Sequence, residues 1–101
     1  MAEITKNQAR ARTKTIRENL DNQQSELMNQ ADELRNLADE MREEADSIEP
    51  YEGKDELTEQ QEERAEWLNE KADILEEQAD ELETKAEEIQ EIINNLEELD
   101  Y

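Results

Sequence analysis

Carboxylates are the side chains of this chain that are most able to do chemistry. Asp and Glu account for 32 of the 101 residues, whereas His and Cys are absent. Carboxylates can transfer protons or bind divalent cations. Without imidazole or thiolate, the sequence lacks the commonest general base and the usual ligands of transition metals. Carboxylates are therefore the first candidates for proton transfer or metal binding.

The spacing of these carboxylates does not match a known kind of catalytic or metal site. Di-iron bundles require Glu-x-x-His. An EF-hand loop requires alternating Asp or Asn ligands around a glycine, and Gly53, the single glycine, lies in PYEGKDEL, which lacks them. Glycosidase chemistry requires two carboxylates in a concave pocket, and no phosphate-binding loop or activated nucleophile is present. We expect no enzyme activity, no catalytic residue, no metal site and no cofactor.

Two runs of heptads determine where the carboxylates lie. Each run carries alanine or a larger apolar residue at positions a and d, with many glutamates between them, which predicts two helices in coiled-coil packing. In the first run the a positions are Ala31, Ala38 and Ala45, and the d positions are Leu20, Leu27, Leu34, Met41 and Ile48. In the second run the a positions are Ala65, Ala72, Ala79, Ala86 and Ile93, and the d positions are Leu68, Leu75, Leu82, Ile89 and Leu96.

The two runs are separated by the segment EPYEGKD. Pro50 disfavours helical geometry in the residue before it, and Gly53 can adopt the left-handed conformation that a chain reversal needs. Either Asp55 or Thr58 can cap the second helix, and Thr58 with Gln61 has capping-box spacing. The predicted fold class is all-α, an antiparallel two-helix coiled-coil hairpin. It forms a single domain over 1–101, with helix 1 at about 5–48, the turn at 49–54 and helix 2 at about 55–99.

Folding the chain about the glycine places residue i opposite residue 106−i, so that each layer pairs one large side chain with one alanine, as in Ala38 opposite Leu68. Such layers allow helix axes to approach to about 8 Å. Near the chain ends, however, the apolar residues of helix 2 face polar ones, and other apolar residues lie off the seam. We therefore expect a homo-oligomer, most simply two hairpins in a four-helix bundle. The candidate interface residues are Trp67, Ile74, Ile92, Ile93, Leu96 and Leu99.

The formal net charge of −21 is unevenly distributed along the chain. Residues 1–17 hold five bases and one acid, a net charge of +4, whereas residues 18–101 hold six bases and 31 acids, a net charge of −25. The basic segment 6–17 could pair with the acidic end of helix 2 or bind nucleic-acid phosphates. Because it lacks aromatic residues for base stacking, we favour the first and expect no direct nucleic-acid binding. No apolar run is long enough for a signal peptide or a membrane span, so we expect a cytoplasmic protein without membrane contact.

The acidity of helix 2 suggests a function. Acids four residues apart, such as Glu62 and Glu66, each cost about 0.2–0.5 kcal/mol in an isolated helix. On a hairpin roughly 66 Å long, one net charge falls every ~3 Å, and two hairpins side by side approach the one per ~1.7 Å of duplex DNA. In charge and size alone, the chain resembles DNA-mimic inhibitors of the small phage type that block restriction and CRISPR systems.

Two functional hypotheses follow from this surface. The first is a binding protein that inhibits a nucleic-acid enzyme by occupying its basic surface, in the host cytoplasm if the protein is of phage origin. The alternative is an oligomeric scaffold or assembly protein whose acidity serves only solubility. The residues expected to contact a basic partner are Glu62, Glu66, Glu70, Asp73, Glu77, Asp80 and Glu87.

Overall fold

The computed structural model describes residues 3–100 and shows a helical hairpin. Helix α1 spans Lys6–Ser47, helix α2 spans Glu59–Leu96, and a short 3-10 helix, η1, follows at Glu97–Asp100. No strand occurs in this part of the chain. The predicted all-α hairpin is confirmed, whereas its dimerisation into a four-helix bundle stays a prediction.

Both helices begin with the same capping box, Thr-x-x-Gln. The backbone N–H of Gln8 donates to Thr5 Oγ1 at 3.1 Å, and the backbone N–H of Thr5 donates to Gln8 Oε1 at 3.1 Å. Thr58 and Gln61 form the same two bonds at 3.1 and 2.9 Å. Each box satisfies two of the N–H groups that a helix N-terminus leaves without an intrahelical acceptor.

The reversal between the helices occurs at Gly53, as the sequence predicted. Its φ is +84°, in the left-handed region that favours glycine, and the N–H of Lys54 donates to the carbonyl of Tyr51 at 2.9 Å. The connection is longer than the predicted 49–54, because α1 ends at Ser47 and α2 begins at Glu59, four residues later than predicted. The Thr58 cap determines this later start.

Contacts within the chain divide it into two compact units. We call residues Gln30–Glu81 the turn unit, and the chain up to Asn29 together with the chain from Leu82 onward the terminal unit. Each unit contains part of both helices. The single domain over 1–101 stays a prediction.

The alanines form the buried seam of the turn unit. Ala31, Ala38, Ala72 and Ala79 are 0% exposed, whereas the larger d residues beside them, such as Leu75, are only half-buried. An alanine at the line of contact leaves room for the neighbouring helix to approach closely, whereas a leucine beside it extends past the contact towards solvent. The prediction that the alanines face the opposite helix is confirmed for these four, whereas Ala65, also predicted at position a, is half-buried.

The terminal unit has a similar seam at its own a positions. Ala86 is 1% exposed and Ile93 is 7% exposed, while Leu20, Leu82 and Ile89 are half-buried. Among the described residues of the whole chain, no large side chain is fully buried. The seam is therefore narrow, and much of the apolar surface of its leucines and isoleucines remains in contact with water.

Candidate partner-binding surface

The negative charge is concentrated in the turn unit. Its 52 residues, 30–81, contain 21 acids and five bases, a net charge of −16, whereas the remaining 49 residues contain 11 acids and six bases, a net charge of −5. The negative electrostatic potential is therefore strongest around the turn unit, and this unit is the part of the molecule that most strongly attracts cations.

Six of the seven predicted partner-binding acids belong to the turn unit. At 3.6 residues per turn they fall within about 80° of the circumference of α2, on the side away from its buried alanines. All six are exposed. They are Glu62, Glu66, Glu70, Asp73, Glu77 and Asp80. The seventh, Glu87, is also exposed but belongs to the terminal unit.

Two of these acids bind arginines of α1. Arg42 donates to Asp73 Oδ1 at 2.7 Å and also to Glu76, and Arg35 donates to Asp80 Oδ1 at 2.9 Å. The hydrogen bonds from Arg42 to Glu76 and Asp73 raise the pKa of its guanidinium above the ordinary value, because both carboxylates stabilise the charged form. The two contacts repeat one heptad apart, and we call Arg35 and Arg42 the arginine ladder.

A third arginine holds the two helices together closer to the turn. Arg64 of α2 donates to Glu44 Oε1 of α1 at 2.8 Å. Three of the five bases of the turn unit are thus bound to carboxylates of the same unit. The predicted acids Glu62, Glu66, Glu70 and Glu77 have no ion-pair partner among residues 3–100. These four carboxylates are the part of the surface best able to receive external cations.

The six predicted interface residues differ in exposure. Trp67 and Ile74 of the turn unit are exposed, at 55% and 46%. Ile92 and Leu99 of the terminal unit are also exposed, whereas Leu96 is half-buried. Ile93 lies in the seam of its own hairpin. Ile93 is 7% exposed, so little of its side chain is left for a second hairpin, and its place in an interface stays a prediction.

The basic N-terminal segment contacts the end of the chain. Arg10 Nε donates to the carbonyl of Leu99 at 3.2 Å, where carbonyls at a helix end favour cations. Lys14 and Arg17 line a shallow hollow of about 360 Å³ together with Glu97 and Ile93. The sequence left open whether segment 6–17 pairs internally, and for Arg10 the contact is internal.

The arginine ladder is the feature that sequence reasoning missed. Both arginines occupy position e of the first heptad run, when the buried alanines are placed at a. Charged residues at e and g commonly pair across a coiled coil, so the heptad assignment already contained a signal for these two residues. The spacing of the acids along α2 instead predicts that their partners Asp73 and Asp80 contact another protein.

The described residues show neither a metal site nor a membrane-spanning helix. In residues 3–100, no three or more Asp and Glu side chains are grouped so that they could hold a metal ion. Neither helix in this range contains an apolar stretch of the length that crossing a bilayer requires.

No family of known proteins matches the chain, and it has no match among curated proteins or solved structures. The fold and the surface define a class, an acidic antiparallel helical hairpin with an alanine seam. Function must therefore be argued from the surface itself.

Proposed function

We propose that this protein is a non-enzymatic binding protein that occupies a basic surface of another protein, and that the partner is an enzyme acting on nucleic acid. The observation that carries the proposal is the net charge of −16 in the turn unit. Opposite charges across an interface accelerate association and select the partner. An inhibitor of this kind acts where such enzymes work, in the cytoplasm, and in the host cytoplasm if the protein comes from a phage.

The charge density of the turn unit supports a partner that binds DNA, because the acidic surface of the unit resembles DNA in charge. The part of α2 within this unit, 59–81, is about 34 Å long. The helical parts of this unit, 30–47 and 59–81, carry 17 acids and four bases, a net charge of −13, which over this length is roughly one per 2.6 Å, compared with one per ~1.7 Å of duplex DNA. This part of one hairpin therefore approaches the charge density of duplex DNA more closely than the whole hairpin does, at one charge per ~3 Å.

The arginine ladder supports the proposal because it stabilises the acidic helix α2. Acids that repel one another along α2 destabilise the helix, and Arg35 and Arg42 offset part of this repulsion from α1 without covering the outer face. Asp73 and Asp80 keep side-chain exposures of 77% and 75% while they are paired. The outer face can therefore remain strongly acidic on a helix that is still held in place.

The test compares two variants of equal net charge. In the first, the four predicted partner-binding acids of the turn unit that have no ion-pair partner within residues 3–100 are replaced by Gln. In the second, four exposed acids of the terminal unit are replaced by their amides. The turn-unit variant is E62Q/E66Q/E70Q/E77Q and the control is E18Q/D21N/E26Q/E91Q. Immobilised protein is used to retain partners from a native lysate at about 50 mM salt, and retention is repeated at about 200 mM.

We expect the wild type and the control to retain the same basic protein, the turn-unit variant to lose it, and excess duplex DNA to release it. Salt should weaken retention steeply, because exposed charges are screened beyond about 8 Å at physiological ionic strength. Equal loss in both variants would show that net charge alone acts. Retention that is unchanged between the two salt concentrations would refute the proposal.

A scaffold or assembly protein is the second candidate, and the terminal unit favours it. Ile92 and Leu99 are exposed there, beside a seam whose larger side chains are half-buried. A second hairpin would cover both residues. The variant I92S/L99S should be monomeric by light scattering while the wild type is not. A biological activity that survives in the monomer would exclude this candidate.

A further inference from the structure

Trp67 and Ile74 form an apolar pair that the hairpin does not use. They are seven residues apart on α2, so they lie on the same side of the helix about 10.5 Å apart. Their exposures are 55% and 46%, whereas the seam alanines of the same helix, Ala72 and Ala79, are 0% exposed. The pair therefore adds little to the folding of the chain and remains in contact with water.

Acidic side chains border this pair along one edge. Glu63 is four residues before Trp67, Glu70 is within one turn of both members, and Glu77 is three residues after Ile74, so all three are neighbours on the helix surface. All three are exposed.

The opposite edge of the pair carries Arg64 and Lys71. The guanidinium of Arg64 is already bound to Glu44. Lys71, the other base of this edge, forms no ion pair within residues 3–100. The surroundings of the pair are therefore acidic on balance, as is the whole turn unit.

This charge identifies the occupant. A second copy docked on the same face would bring two units of net charge −16 together, and like charges placed opposite each other across an interface disfavour the complex. A partner with apolar side chains flanked by Lys or Arg would instead cover the pair and neutralise its edge. Trp is also the residue type most enriched among the dominant contacts of protein interfaces.

We propose that Trp67 and Ile74 are the apolar anchor of the partner site, and that they receive a basic amphipathic helix of the partner. This proposal rests on the proposed function and adds the chemical class of the element that docks. The acids then provide attraction over distance, and the apolar pair provides the short-range contact that selects one basic protein among many.

Trp67 is the only Trp in the chain, so its fluorescence reports directly on this site. The probe is a synthetic helical peptide of about 18 residues, five helical turns, with Leu on one face and Lys on the other. The matched peptide replaces each Leu by Gln and keeps every Lys. The matched protein variants are Ile74→Ser and Ile16→Ser, since both isoleucines lie on a helix with exposures of 46% and 52%, and Ile16 belongs to the terminal unit.

The Leu/Lys peptide should shift Trp67 emission to shorter wavelength, because the indole leaves water, and the Gln/Lys peptide should not. Ile74→Ser should weaken binding of the Leu/Lys peptide by about tenfold. Trp67→Ser should weaken it by about 30-fold, and this binding is measured by calorimetry because the variant has no Trp. Ile16→Ser should bind as the wild type does. Circular dichroism checks that each variant keeps its helices.

Three outcomes would overturn the anchor. If the Gln/Lys peptide binds as tightly as the Leu/Lys peptide, the acids act alone, so the anchor fails while the proposed function stands. If neither peptide binds at low salt, both proposals fail. If Trp67 emission shifts on raising the concentration of the protein alone, a second copy occupies the face and the basic helix does not.

Discussion

Replacing Ala38 by Leu reverses the effect that this substitution has in an ordinary coiled coil. At an a position with space around it, burial of the three added carbons would stabilise the fold by about 2.4 kcal/mol, at about 0.8 kcal/mol for each carbon. Ala38 is 0% exposed in a seam made of small residues, so the structure offers no such space. The leucine must push α2 away or adopt a strained rotamer.

Overpacking of this kind costs about 1–3 kcal/mol. We therefore expect Ala38→Leu to lower the free energy of unfolding by that amount and to lower the Tm by about 4–8 °C for each kcal/mol. A roomy seam would raise both quantities. The two cases differ in sign, so the conclusion does not depend on the exact magnitude.

The assay is urea unfolding followed by far-UV circular dichroism. The control is Ala11→Leu, at an exposed position of α1, where helix propensity changes little. The double variant A38L/L68A tests the layer expected from pairing residue i with 106−i, because a large and a small side chain that face each other can be exchanged with little change in volume. A gain in stability from Ala38→Leu, or an equal loss from Ala11→Leu, would refute the reasoning.

Three further predictions concern the turn and the arginine ladder. Thr58→Ala should cost about 1 kcal/mol in urea unfolding, because it removes the side-chain acceptor of a capping box; an unchanged midpoint would mean that α2 starts elsewhere. Gly53→Ala should destabilise by about 1 kcal/mol through its positive φ alone, since a Cβ there would meet nothing within 4 Å, and Gly53→Asn should cost less. Arg42→Gln should lower the Tm at low salt and less so at high salt, because it leaves Asp73 and Glu76 without their shared cation; a loss independent of salt would point to packing instead.

The fold followed from local patterns that need no knowledge of contacts. Alanines at a seven-residue interval predicted which side of each helix faces the other, and Ala38 and Ala72 are both fully buried. Pro50 and Gly53 predicted the reversal. The same reasoning would have found the first cap, since Thr5 and Gln8 have the spacing that was recognised in the second helix.

The start of α2 could not be predicted in this way. Asp55 and Thr58 are both good capping residues, and local preference does not separate them. In the structure Gln61 accepts the N–H of Thr58 and donates its amide to the carbonyl of Glu49 at 2.9 Å. This contact joins residues 12 apart, so it exists only once the chain has reversed, and it favours the later start.

The candidate surface was predictable in part, for a similar reason. The number of acids and their spacing along α2 are properties of the sequence, and the predicted acids of the turn unit are all exposed. That Asp73 and Asp80 bind arginines of α1, and that Ile93 is buried, depends on which residues of one helix lie opposite those of the other.

The sequence by itself determined the two helices, the reversal and the net charge of each segment, because these depend on residue type and on periods of a few residues. Only the tertiary structure decided which carboxylates are held by the chain's own arginines and which apolar side chains, Trp67 and Ile74 among them, remain at the surface. The physical reason is that both outcomes depend on the rotation and register of one helix against the other. Side chains that are distant in sequence determine this rotation and register jointly.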